Sequence, residues 1–330
     1  MAAAPMVELW RGGRLESWHA GHAVICGPGG EIFEAWGDPG AVIFPRSSCK
    51  MIQALPLIES GAADAAGLGE AQLALACASH QGAEIHTSRV SAWLKDLGMG
   101  EPDLRCGTHW PSDLPARDGL IKTGGSPCQL HNNCSGKHAG FLTLNRHLGG
   151  GAEYVEPDHP VQRAVKAATE EVAGETSPGF GIDGCSAPNH ALSVHGLARS
   201  MAFFAGAREQ GPVRERAAHR LARAMMAYPE LVAGEGRACT RLMRAMGGRV
   251  AVKTGAEAVF TAIIPERKLG IALKIVDGGT RASEAAITAL LVRLGVLAKE
   301  DPVVGQLLSG PQANWRGLVT GELRLAAGFC

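Results

Sequence analysis

The sequence predicts an α+β fold in which a mostly antiparallel sheet is built from both chain ends and a helical middle region covers it. Three observations point there. Short apolar runs bounded by turn residues fill the chain up to about residue 44 and return after about 248, while the segments between are Ala-rich with helical spacing. Of the 330 residues 46% are apolar, ample for a continuous buried core. We expect a single domain over 1–330, with a sheet portion at about 1–45 and 248–330 and a helical portion at about 46–247. No repeat, low-complexity tail or clear linker divides it.

The elements follow in order. Residues 22–26 and 31–36 read as strands flanking the turn Gly27-Pro-Gly-Gly30. After Pro45, the residues Met51, Ile52, Ala54, Leu55, Leu57 and Ile58 are apolar on nearly every side, the mark of a buried helix that Pro56 would kink or shorten. Helices are predicted over 84–97, 159–172, 191–205 and 213–226. The Gly-rich stretch 106–135 is expected to be a long loop, and loops of that length inside a compact domain often carry function. Strands return at 250–253, 258–264 and 269–276, the last two joined by the turn 265–268, and a helix follows over 281–294.

Composition narrows the function. Lys plus Arg equals Asp plus Glu at 32 each, so no net field gathers nucleic acid or an anionic membrane surface, and a small, roughly neutral ligand fits better. Nine cysteines at irregular spacings suit reduced thiols in a reducing compartment rather than a disulfide framework. The first residues lack a basic stretch followed by an apolar run, and no eighteen uncharged apolar residues follow one another. A cytoplasmic protein that neither leaves the cell nor spans a membrane is therefore expected.

Four segments could carry chemistry. Ser47 and Lys50 stand three apart at the start of the buried helix, so hydroxyl and amine share a face. A serine needs a neighbouring base, and a lysine, with a free pKa of about 10.4, becomes one only when burial or a nearby cation disfavours its ammonium form. The same spacing also suits a capping serine followed by a lysine whose stem packs while its amine reaches water. Lys253-Thr-Gly255 lies at a strand end, where the glycine admits a ligand and the lysine adds charge. Ser79, in the polar run 78–82 after an apolar segment, could relay protons or cap a helix. Cys134 and Cys185, in Gly-rich turns, could hold a borderline metal or be ordinary buried thiols. Ser-x-x-Lys on a helix followed by Lys-Thr-Gly on a later strand are two of three landmarks of the serine β-lactamases and penicillin-binding proteins.

RSSCKMIQALPL at 46–57, ASHQG at 78–82, HNNCSGKHAGF at 131–141 and GIDGCSAP at 181–188 together resemble the rhizobial-type L-asparaginases, over a span from about Val7 to the C-terminal strand. The resemblance implies a serine-β-lactamase-like fold, a homodimer, and hydrolysis of L-asparagine to L-aspartate and ammonia. It implies Ser47 as nucleophile, Lys50 as its base, and Ser79 with Lys253 as a second serine-lysine pair. It further implies Zn2+ held by Cys134, Lys137 and Cys185, assisting substrate binding more than bond breaking, and a substrate site shaped by Arg46, His138 and Asp183. Cys49, between serine and lysine, departs from the easier expectation of a small inert side chain and raises the question of redox sensitivity. Two other readings remain open at this point: a β-lactamase or D,D-peptidase-like hydrolase, and a non-catalytic zinc- or ligand-binding relative.

Overall fold

The computed structural model describes residues 2–330, and in it the chain divides into two compact units. Of the described residues, one comprises 2–48, 192–206 and 241–330; the other comprises 49–191 and 207–240. In chain order the strands are β1 (Ala4–Arg11), β2 (Arg14–Cys26), β3 (Ile32–Trp36), β4 (Val42–Ile43), β5 (Phe180–Ile182), β6 (Pro188–His190), β7 (Leu192–Ser193), β8 (Ala251–Gly255), β9 (Val259–Ile264), β10 (Leu269–Ile275), β11 (Pro311–Ala313) and β12 (Val319–Leu325).

The first unit is organised by an eight-stranded sheet in the order β11-β12-β1-β2-β10-β9-β8, with β3 also paired to β2. Every pair is antiparallel, and β2 against β10 joins the N-terminal strands to the C-terminal ones. The sheet is thus built from both chain ends. All six residues of β9 are buried, and since alternate side chains point to opposite faces, both faces at the centre are covered. The helices Val194–Gly206 and Thr280–Arg293 both pack on β9 and β10. Gly270 lets the first approach closely: a Cβ there would lie 2.1 Å from Ala202 N and 2.3 Å from Ala198 O. Residues 192–206 thus group with the sheet although they fall within the expected helical stretch.

The second unit is helical around the helix Ser135–Leu148, whose first eleven residues, 135–145, are all buried. The helices Leu55–Glu59, Glu70–Ala76, Glu84–Asp96 and Pro160–Ala173 pack against it. Small residues permit this: a Cβ on Gly136 would come within 2.4 Å of Leu75 O.

Most elements lie where the sequence puts them, with ends shifted by one to three residues, although β2 begins eight residues before the expected 22–26. The buried helix after Pro45 is instead a 3-10 turn, Arg46–Cys49, followed by Lys50–Gln53 and Leu55–Glu59, with Pro56 in the first turn of the last piece. The stretch 106–135 is not a plain loop. It contains the helix Leu114–Lys122, capped by Asp113, whose side chain accepts from Ala116 N, and the 3-10 turn Gln129–His131. That helix buries none of its residues, so it has no apolar stripe to announce it. The hairpin β5-β6 interrupts the helical region and was not anticipated.

Candidate functional site

In the sheet unit, Ser47 sits half-buried on the 3-10 turn Arg46–Cys49, directly before the helix that begins at Lys50. Arg46 has φ 53°, a left-handed conformation that costs a non-glycine residue energy and is tolerated where surrounding structure enforces it. The surroundings do so. Ser48 donates to Pro45 O at 2.7 Å, and Thr261 of β9 places its hydroxyl 3.2 Å from both Ser48 O and Lys253 O. A Cβ on Gly255 would lie 2.6 Å from Pro45 O, so the end of β8 runs tight against the turn that carries Ser47. The Lys-Thr-Gly segment is therefore packed on the turn that carries Ser47. Lys253 is 1% exposed and donates to Thr254 O at 2.9 Å.

In the helical unit, Lys50 is buried, and its amine lies 2.5 Å from Ala78 O, 3.0 Å from Ser79 Oγ and 3.5 Å from Asn133 O. The amine donates to Ala78 O and to the Ser79 hydroxyl oxygen. The neighbouring segment is fixed from below. Ser79 N donates to Val232 O, and His80, fully buried, donates its backbone N–H to Asn133 O and contacts Ser135 Oγ through Nε2 at 2.9 Å. Burial holds the His80 imidazole well below its ordinary range, hence neutral.

A second cluster in the same unit joins the start of the helix Ser135–Leu148 to the β5-β6 hairpin. Lys137 donates to Cys185 Sγ at 3.0 Å, and Cys134 donates to Asn133 Oδ1 at 3.0 Å. The hydrogen bond from Cys134, reinforced by the Lys137 charge, pulls the Cys185 thiol well below the usual thiol range against the opposing effect of burial. Conversely that bond, together with burial, raises Cys134. Burial alone would lower Lys137, but the Cys185 charge overrides it and the amine is raised. The cluster is a buried thiolate-ammonium pair with a neutral thiol beside it. Asp183, on the turn of the same hairpin, adds a negative charge felt by both Lys137 and Cys49. His138 Nδ1 shares a 2.9 Å hydrogen bond with the Tyr154 hydroxyl, and Tyr154 accepts from Arg105 N. The other ring nitrogen, Nε2, is buried with no hydrogen-bond partner.

Two sulfurs and an amine converging in this way fit a borderline ion such as Zn2+, with His138 Nε2 an orphaned polar atom close by. No group of three or more His, Cys, Asp or Glu side chains is arranged to hold a metal among the described residues, so such a site would depend on Lys137 giving up its proton.

Cys49 is buried, its thiol pushed up to about 11 chiefly by burial, and Asn189 approaches its sulfur at 3.7 Å. Asn133, Tyr154, His80 and Thr261 belong to these clusters and were not singled out from the sequence. Asn133 and His80 lie inside the motif segments; Tyr154, one of two tyrosines, carried no other signal.

Comparison with known proteins adds the following. The family model described as L-asparaginase II matches residues 7–325. No curated protein matches the chain. Among solved structures, a β-lactamase from Mycobacterium bovis superposes with TM-score 0.46 at 14% identity, covering 84% of this chain and 95% of that one. Mglu, solved in its Tris and glutamate form, superposes with TM-score 0.47 at 12% identity, covering 85% of this chain and 60% of that one. These weak superpositions add nothing to the assignment, which rests on the family match.

Proposed function

The chain belongs to the L-asparaginase II family, and from that premise we propose that it hydrolyses the side-chain amide of L-asparagine to L-aspartate and ammonia, with Ser47 as nucleophile. The observation that carries the reading is the family match across 7–325. Membership makes the protein an amidohydrolase; the serine-lysine chemistry is our own assignment.

In the proposed mechanism Lys50 is the base that takes the Ser47 proton as the hydroxyl attacks the amide carbon. Backbone N–H groups at the helix start stabilise the oxyanion. The leaving ammonia receives a proton through Ser79 and Lys253, and water then cleaves the β-aspartyl ester by the reverse path. Because the substrate is a zwitterion, Arg46 and Asp183 are assigned to its carboxylate and ammonium, and His138 to shaping the pocket. Cys134, Lys137 and Cys185 would hold Zn2+, which when bound supplies a fixed positive charge that assists substrate binding.

The nine cysteines at irregular spacings support a reducing compartment and hence a cytoplasmic location. We also propose a homodimer, for which light scattering should return twice the chain mass of 34.4 kDa; a monomer at working concentration would refute it. The activity itself is tested by ammonia release from L-asparagine. Wild-type protein should turn over and Ser47→Ala should lose at least about three orders of magnitude in kcat, the scale on which removing a serine nucleophile acts. Near-normal turnover by the variant removes Ser47 as nucleophile, and an inactive wild type removes the reading as a whole.

A further inference from the structure

Outside the clusters above, one other pair of side chains combines a nucleophile with a base. Cys128 caps the 3-10 turn Gln129–His131, and its Sγ lies 3.3 Å from His131 Nδ1. The backbone N–H of Cys128 also donates to that nitrogen, at 3.1 Å, which places the ring proton on Nε2 and aims the Nδ1 lone pair at the cysteine. Both residues are half-buried, so the pair is open to small reagents.

The other thiols are poorer candidates. Seven of the nine cysteines are buried. Among them burial pushes Cys26 and Cys49 up to about 11 and Cys106 up to about 12. Cys330 is exposed, but its thiol too is pushed up to about 11, chiefly by burial of the sulfur, and the charges acting on it are those of Arg293 and Glu34. Thiol reactivity needs both access and a route to the thiolate, and Cys128 alone has an open position with an imidazole in hydrogen-bond contact.

We propose that Cys128, with His131 as its base, is a covalent modification site for low-molecular-weight disulfides. In the reaction the Cys128 Sγ–H proton passes to His131 Nδ1 as the sulfur attacks one sulfur of the disulfide. The disulfide S–S bond breaks, a new Sγ–S bond forms, and the departing thiolate takes the proton back from His131. One thiol is released for each mixed disulfide, and the reagent is the only oxidant required. The adduct falls on the turn that continues into Asn132 and Asn133, the residues that contact Cys134 and Lys50. The proposal is independent of the asparaginase reading.

The test uses the folded full-length protein with less than one equivalent of two probes, glutathione disulfide and an aromatic nitrothiobenzoate disulfide that releases a coloured thiol, followed by peptide mass mapping. The first label should fall on Cys128, and Cys128→Ser should remove the fast phase of thiol release. His131→Phe and His131→Gln should each slow that phase by about tenfold or more, since general-base assistance is typically worth about a hundredfold. A first label on Cys330 or on a buried thiol of the wild-type protein overturns the proposal whether or not the variants fold. So does a fast phase that persists at the wild-type rate in both His131 variants.

Discussion

Lys137 shows how a single residue's protonation is set by what surrounds it. A lysine 3% exposed would ordinarily be driven toward neutrality, yet the Cys185 thiolate 3.0 Å away holds it charged. The pair is a buried ion pair, so removing either member strands the other's charge, at a typical cost of about 3–5 kcal/mol. Lys137→Met should therefore lower the melting temperature and, if the cluster is a zinc site, reduce the zinc retained in equilibrium dialysis with the purified protein. Chelation of the wild type should raise KM for asparagine while leaving kcat within about threefold, because the ion is assigned to binding. A fall in kcat at unchanged KM would contradict that assignment. Asn133 marks the limit of reading single residues: its place in the motif segment was visible, but that its carbonyl faces Lys50 while its side chain takes the Cys134 thiol follows only from the turn's conformation.

At the scale of elements, the contact between β10 and the helix Val194–Gly206 depends on the missing side chain at Gly270. The atoms a Cβ would strike, Ala202 N, Ala198 O and Met201 C, are all backbone, so no rotamer change can relieve the clash and the helix itself must shift. Gly270→Ala should destabilise the fold by about 1–3 kcal/mol or more, read as a lower midpoint in urea unfolding; an unchanged midpoint would mean that the helix moves freely on the sheet. The apolar runs that announced β9 and β10 were local and legible. The helix Leu114–Lys122 was not, because it has no buried face, and its only sequence marks are the cap Asp113 and Pro115 in its first turn. The first helix after Pro45 was legible as buried, but its division at Ala54 depends on where Pro56 falls in the first turn of the next piece.

For the molecule as a whole, stability should depend on pH through histidines held neutral by burial. His80, His86 and His190 are each lowered from the ordinary imidazole range, in every case chiefly by burial, and are 1%, 0% and 7% exposed. Above the unfolded pKa of about 6.5 both states are neutral and the groups are indifferent. As pH falls through that value the unfolded chain takes up protons that the folded chain refuses, so stability is lost downward from about 6.5. The loss approaches about 1.4 kcal/mol per pH unit for each such group until its folded pKa is reached. Calorimetry should show the melting temperature falling between about pH 7 and pH 5, above the range where carboxylates titrate. A flat profile across that window would show that these imidazoles are already protonated in the folded protein.

The order of amino acids was enough for the α+β class, the contribution of both chain ends to one antiparallel sheet, the family, and the segments that carry the polar residues of the clusters, because apolar periodicity and short motifs are local properties written in neighbouring residues. That Lys50 meets Ser79, Lys137 meets Cys185 and Tyr154 reaches His138 follows from packing in three dimensions. These partners stand 29, 48 and 16 residues apart. Their charge states follow from burial and proximity, which arise only when distant segments pack.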